Sequence, residues 1–305
     1  MPELLHRHQI RLRVGPYTVL CLNQSKKPYS LPKHIVQFLE PNKEQIGSHV
    51  VDSDDIGHMV VQCFDNFLKE YSNPIKKVPM GSDLYEIYQT KEHYIWIRKN
   101  CQNEILLAYQ ISLDWKEWNL VVEREEENGF DELAYFFAYS ILKRGSILFH
   151  GVVMDWVGNG IIVCAPSGVG KTTHTNLWQE HECVRILNGD RALCCKEGEE
   201  WYTYGAPWCG SSMDCINDKV PLKSIIILEQ AANNEVMELL PLRGALELIQ
   251  LTFAPDWDIT LMECAIDQID DIVQRVPMYK LKCRPDYEAV EVVKSELLNK
   301  ISFIA

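Results

Sequence analysis

The stretch Ala165-Pro-Ser-Gly-Val-Gly-Lys-Thr172 decides how the rest of this chain is read. It follows the pattern G-x-x-x-x-G-K-[ST], with Ala165 in the place of the first glycine, and so reads as a phosphate-binding loop. Gly168 and Gly170 let the backbone turn its N–H groups inward around phosphate oxygens, Lys171 adds a point charge, and the Thr172 hydroxyl is suited to Mg²⁺. The candidate contacts to a nucleotide phosphate chain are therefore Ser167, Gly168, Val169, Gly170, Lys171, Thr172 and Thr173. The apolar run Ile161-Ile-Val-Cys164 predicts a strand leading into the loop. Residues from Lys171 to about Glu180 predict a helix whose N-terminus faces the anion.

Working outward, Gly158-Asn-Gly160 separates that strand from the apolar run Ile147 to Val157. Asn-Gly between two apolar strands signals a hairpin, so the strand feeding the loop is expected to run antiparallel to its predecessor. A two-residue turn at 158–159 or 159–160 places His150 across from positions 167 to 169, beside the loop. Downstream, Val184-Arg-Ile-Leu-Asn-Gly-Asp-Arg191 predicts a short strand ending near Asp190, a carboxylate that can hold a metal directly or through water. Glu229, after Ile225-Ile-Ile-Leu228, is its rival. Arg243 at a helix start is a candidate cation for phosphate, and Asp155 is expected mid-strand and facing solvent. Tyr204-Gly-Ala-Pro-Trp-Cys-Gly210 has the turn formers and aromatics of an ordered loop beside a site.

A chain of 305 residues with 47% hydrophobic content can bury a large core as one or two domains. The net charge of −13 disfavours general binding to nucleic acid or to an anionic membrane and points to a nucleotide in a local pocket. Eleven cysteines without a C-x-x-C pair suggest reduced cytoplasmic thiols rather than a zinc ribbon or disulfide framework. Neither a spanning segment nor a signal peptide is expected, so the expected location is the cytoplasm.

The first 123 residues read as a β-rich domain. Gln9–Val14 and Tyr17–Leu22 flank Gly15-Pro16, and strand-like runs follow at 84–89, 93–98, 105–112 and 118–122. Between them, Ile56, Met59, Val60, Cys63, Phe64 and Phe67 recur at helical spacing, which predicts a helix from Asp54 to about Tyr71. The charged run Glu123 to Gly129 marks the expected boundary with a core domain over 124–305. There, helices are expected at 131–143, 242–253, 264–276 and 287–299, with a strand at 279–283.

The block from Ser146-Ile-Leu-Phe-His-Gly-Val-Val-Met-Asp155 through Gly158-Asn-Gly-Ile-Ile-Val-Cys-Ala-Pro-Ser-Gly-Val-Gly-Lys-Thr172 resembles the HPr kinase/phosphorylase family. The resemblance covers about residues 130 to 300. It implies an α/β (α+β) fold with a mixed-sheet P-loop core of the HPr-kinase/carboxykinase type behind the β-rich N-terminal region. It further implies ATP and Mg²⁺ as cofactors, with Lys171 and Thr172 on phosphate and metal and His150 near the transferred phosphate. The family carries two adjacent aspartates before an arginine, the first as base toward a serine hydroxyl. Here Asp190 and Arg191 match the second aspartate and the arginine, while Gly189 stands where the base belongs. His150 or Asp190 then remains for the base.

Two function classes follow. One is a kinase with His150, Lys171 and Asp190 as catalytic residues and Thr172 and Asp190 as metal ligands, acting on a serine or threonine hydroxyl of a peptide or protein. The other is a nucleotide-binding ATPase or regulatory module in a peptide-modification pathway.

Overall fold

The computed structural model describes residues 4–5, 9–23, 29–30, 32–40, 55–62, 71, 73–122, 129–166 and 168–300. The chain divides into two compact units, Met1–Ser140 and Ile141–Ala305. Both are mixed α/β or β-rich, and both sheets combine parallel and antiparallel neighbours.

In the first unit eight of the described strands form one sheet, and Leu4–Leu5 pairs with Tyr29–Ser30 in a separate two-stranded one. Gln9–Val14 and Tyr17–Asn23 make the expected hairpin, and Asp83–Gln89, His93–Lys99, Ile105–Ser112 and Glu117–Val122 follow as an antiparallel meander. An edge strand, Lys76–Met80, was not expected; Pro79 within it suits an edge, where a missing N–H costs no ladder bond. The predicted helix over 54–71 is corrected: Asp55–Gln62 is a strand, and residues 63–70 lie outside the described ones. That strand pairs in parallel with Tyr17–Asn23 on one side and Glu117–Val122 on the other. Backbone pairing on both edges outweighs a helical spacing that already contained Gly57 and the β-branched Val60-Val61. Trp96, Trp118 and Phe136, all buried, anchor the unit's aromatic core.

In the second unit, Ser146–Trp156 and Asn159–Cys164 form the expected antiparallel hairpin. The long strand Lys219–Gln230 begins antiparallel to Glu200–Tyr204, then runs parallel to Asn159–Cys164 and to Met278–Cys283. Arg191–Glu197 and Glu200–Tyr204, absent from the sequence expectation, complete the connection back to Ser146–Trp156. Helices Lys171–Glu182 and Tyr287–Lys300 cover one face. Their Trp178, Val290, Val293 and Leu297 join Val163 and Ile226 of the strands in one buried cluster. Removing a fully enclosed side chain such as Trp178 leaves a cavity worth about 3–5 kcal/mol, so this face fixes the helix that follows the glycine loop.

The hairpin turn differs from the expected position. Trp156 pairs with Asn159, so the two turn residues are Val157 and Gly158, both with positive φ (52° and 79°). Asn159 leaves the turn; it is buried and its amide donates to the carbonyls of Trp156 and Val157. With Gly151 opposite Cys164, His150 falls level with Ala165 at the start of the loop rather than with 167–169. Asp155, expected in solvent, is buried: its Oδ1 accepts from the Gly158 N–H at 2.7 Å and its Oδ2 from Arg185 Nη2 at 2.5 Å.

Candidate functional site

The glycine loop leaves the end of Asn159–Cys164 and enters Lys171–Glu182. Gly168 and Gly170 have φ of 80° and 111°, the left-handed region that favours glycine, and nothing lies within 4 Å of a Cβ placed on either. Among the described residues no side chain caps the helix, so its first N–H groups and its positive dipole end point into the loop. The Gln230 amide, at the end of the parallel neighbour strand, donates to the Val169 carbonyl at 3.1 Å and ties the loop to the sheet. Thr172 and Thr173 are exposed on the first helical turn, Val169 is half-buried, and Ser167 lies outside the described residues.

Lys171 is drawn back along the loop. Its Nζ donates to the Ala165 carbonyl at 2.7 Å and lies 2.9 Å from His150 Nε2. On the other side of the imidazole, His150 Nδ1 stands 3.3 Å from Asp190 Oδ1. Burial lowers the His150 pKa first of all, Asp190 raises it, and Lys171 and Arg191 lower it again. The imidazole is therefore neutral near pH 7, and an ammonium donating to Nε2 assigns the ring proton to Nδ1, facing the carboxylate. Lys171 also has a lowered pKa, from burial first, opposed by Asp190 and Cys164. Three groups far apart in sequence thus form one chain: ammonium, imidazole, carboxylate.

The sheet explains how Asp190 arrives there. Ser146–Trp156 pairs with Arg191–Glu197 through His150↔Arg191, and then with Arg185–Asn188 from Val153↔Asn188. Gly189 and Asp190 fill the gap between the two partners, and the Asp190 carbonyl accepts from the Gly151 N–H at 2.9 Å. The fully buried Asn188 holds the corner. Its Oδ1 accepts from the N–H groups of Asp190 and Arg191, and its Nδ2 donates to the carbonyls of Ala206 and Trp208. Asn188 read in sequence only as part of the strand leading to Asp190; its part in positioning Asp190 depends on the 205–209 segment folding against it. That buried segment is the turn-rich, aromatic stretch expected beside a site.

Gly189 has a tertiary explanation of its own. A Cβ there would lie 1.9 Å from Ser212 Oγ, 2.9 Å from Ser212 Cβ and 3.4 Å from the Cys209 carbonyl oxygen. Gly210, with φ of 62°, is likewise needed because a Cβ would meet the Asp190 carboxyl carbon at 2.9 Å. The turn Gly210–Ser212 is thus wrapped onto Gly189-Asp190 so closely that neither glycine position admits a side chain. Ser212 was not singled out in the sequence, since nothing local marks it.

The rival carboxylate, Glu229, pairs with Lys280 at 3.0 Å, and Lys280 also pairs with Glu247 at 2.9 Å, which gives Glu229 a structural partner. Arg243 is exposed near the start of Pro241–Ile249. No described helix is long and apolar enough to cross a membrane.

No protein-family profile matches the chain, and no curated protein matches it in sequence. Among solved structures, the HPr(Ser) kinase/phosphatase from Coxiella burnetii aligns with a TM-score of 0.30 and 10% identity, over 50% of this chain and 97% of that one.

Proposed function

We propose that this chain is a Mg²⁺-dependent phosphotransferase that passes the terminal phosphoryl group of ATP to a serine or threonine hydroxyl of a peptide or protein. The observation that carries the proposal is the continuous Lys171, His150, Asp190 chain beside the glycine loop. The residues suit the group they would hold. Two left-handed glycines and an uncapped helix N-terminus are the backbone features that bind phosphate oxygens. A threonine hydroxyl and a carboxylate are hard oxygen donors of the kind Mg²⁺ takes.

Bound MgATP supplies the phosphoryl group and the charge that activates it. Lys171 would bind phosphate oxygens, and Thr172 and Asp190 would hold Mg²⁺. As Lys171 turns its donors to phosphate, Nε2 of His150 is released to take the acceptor's proton, and Asp190 stabilises the resulting imidazolium at Nδ1. Asp190 then serves twice, through its two oxygens. The chain's expected place of action is the cytoplasm, where cysteine thiols stay reduced.

One observation favours a second function, that of a nucleotide-dependent ATPase or regulatory module. Position 189 offers no side chain, and Ser212 fills the space where one would stand. Loss of a general base costs about 10²–10⁴-fold, which hydroxyl transfer feels most. Intact-mass measurement of serine- and threonine-containing acceptors incubated with MgATP separates the two. Phosphate on an acceptor, lost in Lys171→Ala and reduced in His150→Ala, is the expected result. ATP hydrolysis with no acceptor ever modified would sink the transferase proposal and leave the ATPase.

A further inference from the structure

Arg191 is only 9% exposed, yet its Nε and Nη1 have no hydrogen-bond partner. The neighbouring Asp190 Oδ2 is 3.8 Å from Nε, beyond hydrogen-bond range, and the guanidinium lies 5.7 Å from the centre of the Phe253 ring. A buried cation held this way is expensive, because Nε and Nη1 gain no hydrogen bond and the ion pair with Asp190 is long, so desolvation is only partly recovered. Native folds retain such a group where something else completes it.

Its position says what that partner is. Arg191 faces His150 across the strand pair, and Phe253, which lies under the guanidinium, also meets the His150 ring edge-on at 6.5 Å. Lys171 approaches the same imidazole from the loop. Around one histidine the site therefore sets two cations, Lys171 and Arg191, against one carboxylate, Asp190. The surplus is positive, in a chain whose net charge is −13. A planar guanidinium prefers the paired oxygens of a phosphoryl or carboxylate group to a point charge.

On the nucleotide-binding function proposed above, we infer that Arg191 is a second anchor for the terminal phosphoryl group of a nucleoside triphosphate. Lys171 grips the phosphate chain from the loop, and Arg191 grips its last member from the sheet. A nucleoside diphosphate lacks that member, so Arg191 distinguishes triphosphate from diphosphate while Lys171 serves both.

The test is calorimetric titration of the full chain with Mg²⁺ and either a non-hydrolysable ATP analogue or ADP. Arg191→Met should weaken the triphosphate analogue by about 10- to 100-fold, the worth of a charge-assisted hydrogen bond, and ADP by less than about threefold. Lys171→Ala should weaken both. Arg191→Lys keeps the charge without the fork and should show a smaller loss confined to the triphosphate, which provides the same comparison if the methionine variant does not fold. Equal losses for the two nucleotides, or no loss for either, would overturn the assignment and leave Arg191 a structural cation. If the unaltered chain binds neither nucleotide, the nucleotide-binding function itself falls, and the role of Arg191 falls with it.

Discussion

Substituting Gly189 by alanine places a methyl group 1.9 Å from Ser212 Oγ and 2.9 Å from Ser212 Cβ. Neither distance is tolerable, so the turn carrying Ser212 must move. That turn is held by two hydrogen bonds through the same hydroxyl, which donates to the Cys209 carbonyl at 3.1 Å and accepts from the Asp214 N–H at 3.2 Å. Overpacking costs about 1–3 kcal/mol, and each hydrogen bond lost adds roughly 0.5–1.5 kcal/mol. Gly189→Ala should therefore destabilise by about 2–6 kcal/mol, a fall of roughly 4–24 °C in midpoint temperature. The specific cause is checked by a double-mutant cycle in urea followed by tryptophan fluorescence. Ser212→Gly removes both clashing atoms, and the next neighbour is the Cys209 oxygen at 3.4 Å, an ordinary contact. In that background the alanine should cost about 1–3 kcal/mol less than in the unaltered chain. Simple additivity of the two substitutions would refute the account, because it would mean that Ser212 does not occupy the space at position 189.

The remaining predictions concern stability around the same unit. Trp178 Nε1 donates to His174 Nε2 at 3.1 Å, and burial pushes the His174 pKa from 6.5 down to about 4. The unfolded chain therefore takes up this proton first, so the contribution of His174 is full above pH 6.5 and is lost as pH falls toward 4. At pH 5 the loss is about 2 kcal/mol relative to pH 7, and urea midpoints of His174→Asn should lack that part of the pH dependence. Val157, a β-branched residue 71% exposed at φ 52°, begins a turn whose two residues both have positive φ. Val157→Asn should stabilise by about 0.5–1 kcal/mol, read as a higher midpoint temperature. Asp155→Ala strips the Gly158 N–H and Arg185 of a buried acceptor and should cost about 2–4 kcal/mol, with no change if Asp155 were solvated as its strand position first suggests.

What the sequence made legible, and what it did not, divides along the range of the interactions. The strand, glycine loop and helix around Lys171 could be read because each is specified by residues within a few positions of one another. So could the antiparallel hairpin, since glycine beside an apolar run is a local instruction. The turn was displaced because Val157 accepts a left-handed conformation that its side chain disfavours, while Asn159 is consumed by hydrogen bonds back to Trp156 and Val157. The displacement moved His150 to the level of Ala165, yet the histidine still meets Lys171, because a lysine side chain is long enough to reach back along the loop. The helix expected after Asp54 failed for the opposite reason: Asp55–Gln62 takes its conformation from two strands remote in sequence. Gly189 is the most instructive residue. The family pattern that the sequence resembles expects a carboxylate there; the packing of Ser212 and Gly210 makes glycine a requirement, and its consequence is that an acidic side chain has no room beside the Ser212 hydroxyl. Gly189→Asp must be unproductive unless Ser212 is cut back as well, so the chemistry available to this site is governed by how the 209–214 segment packs as much as by the residue at position 189.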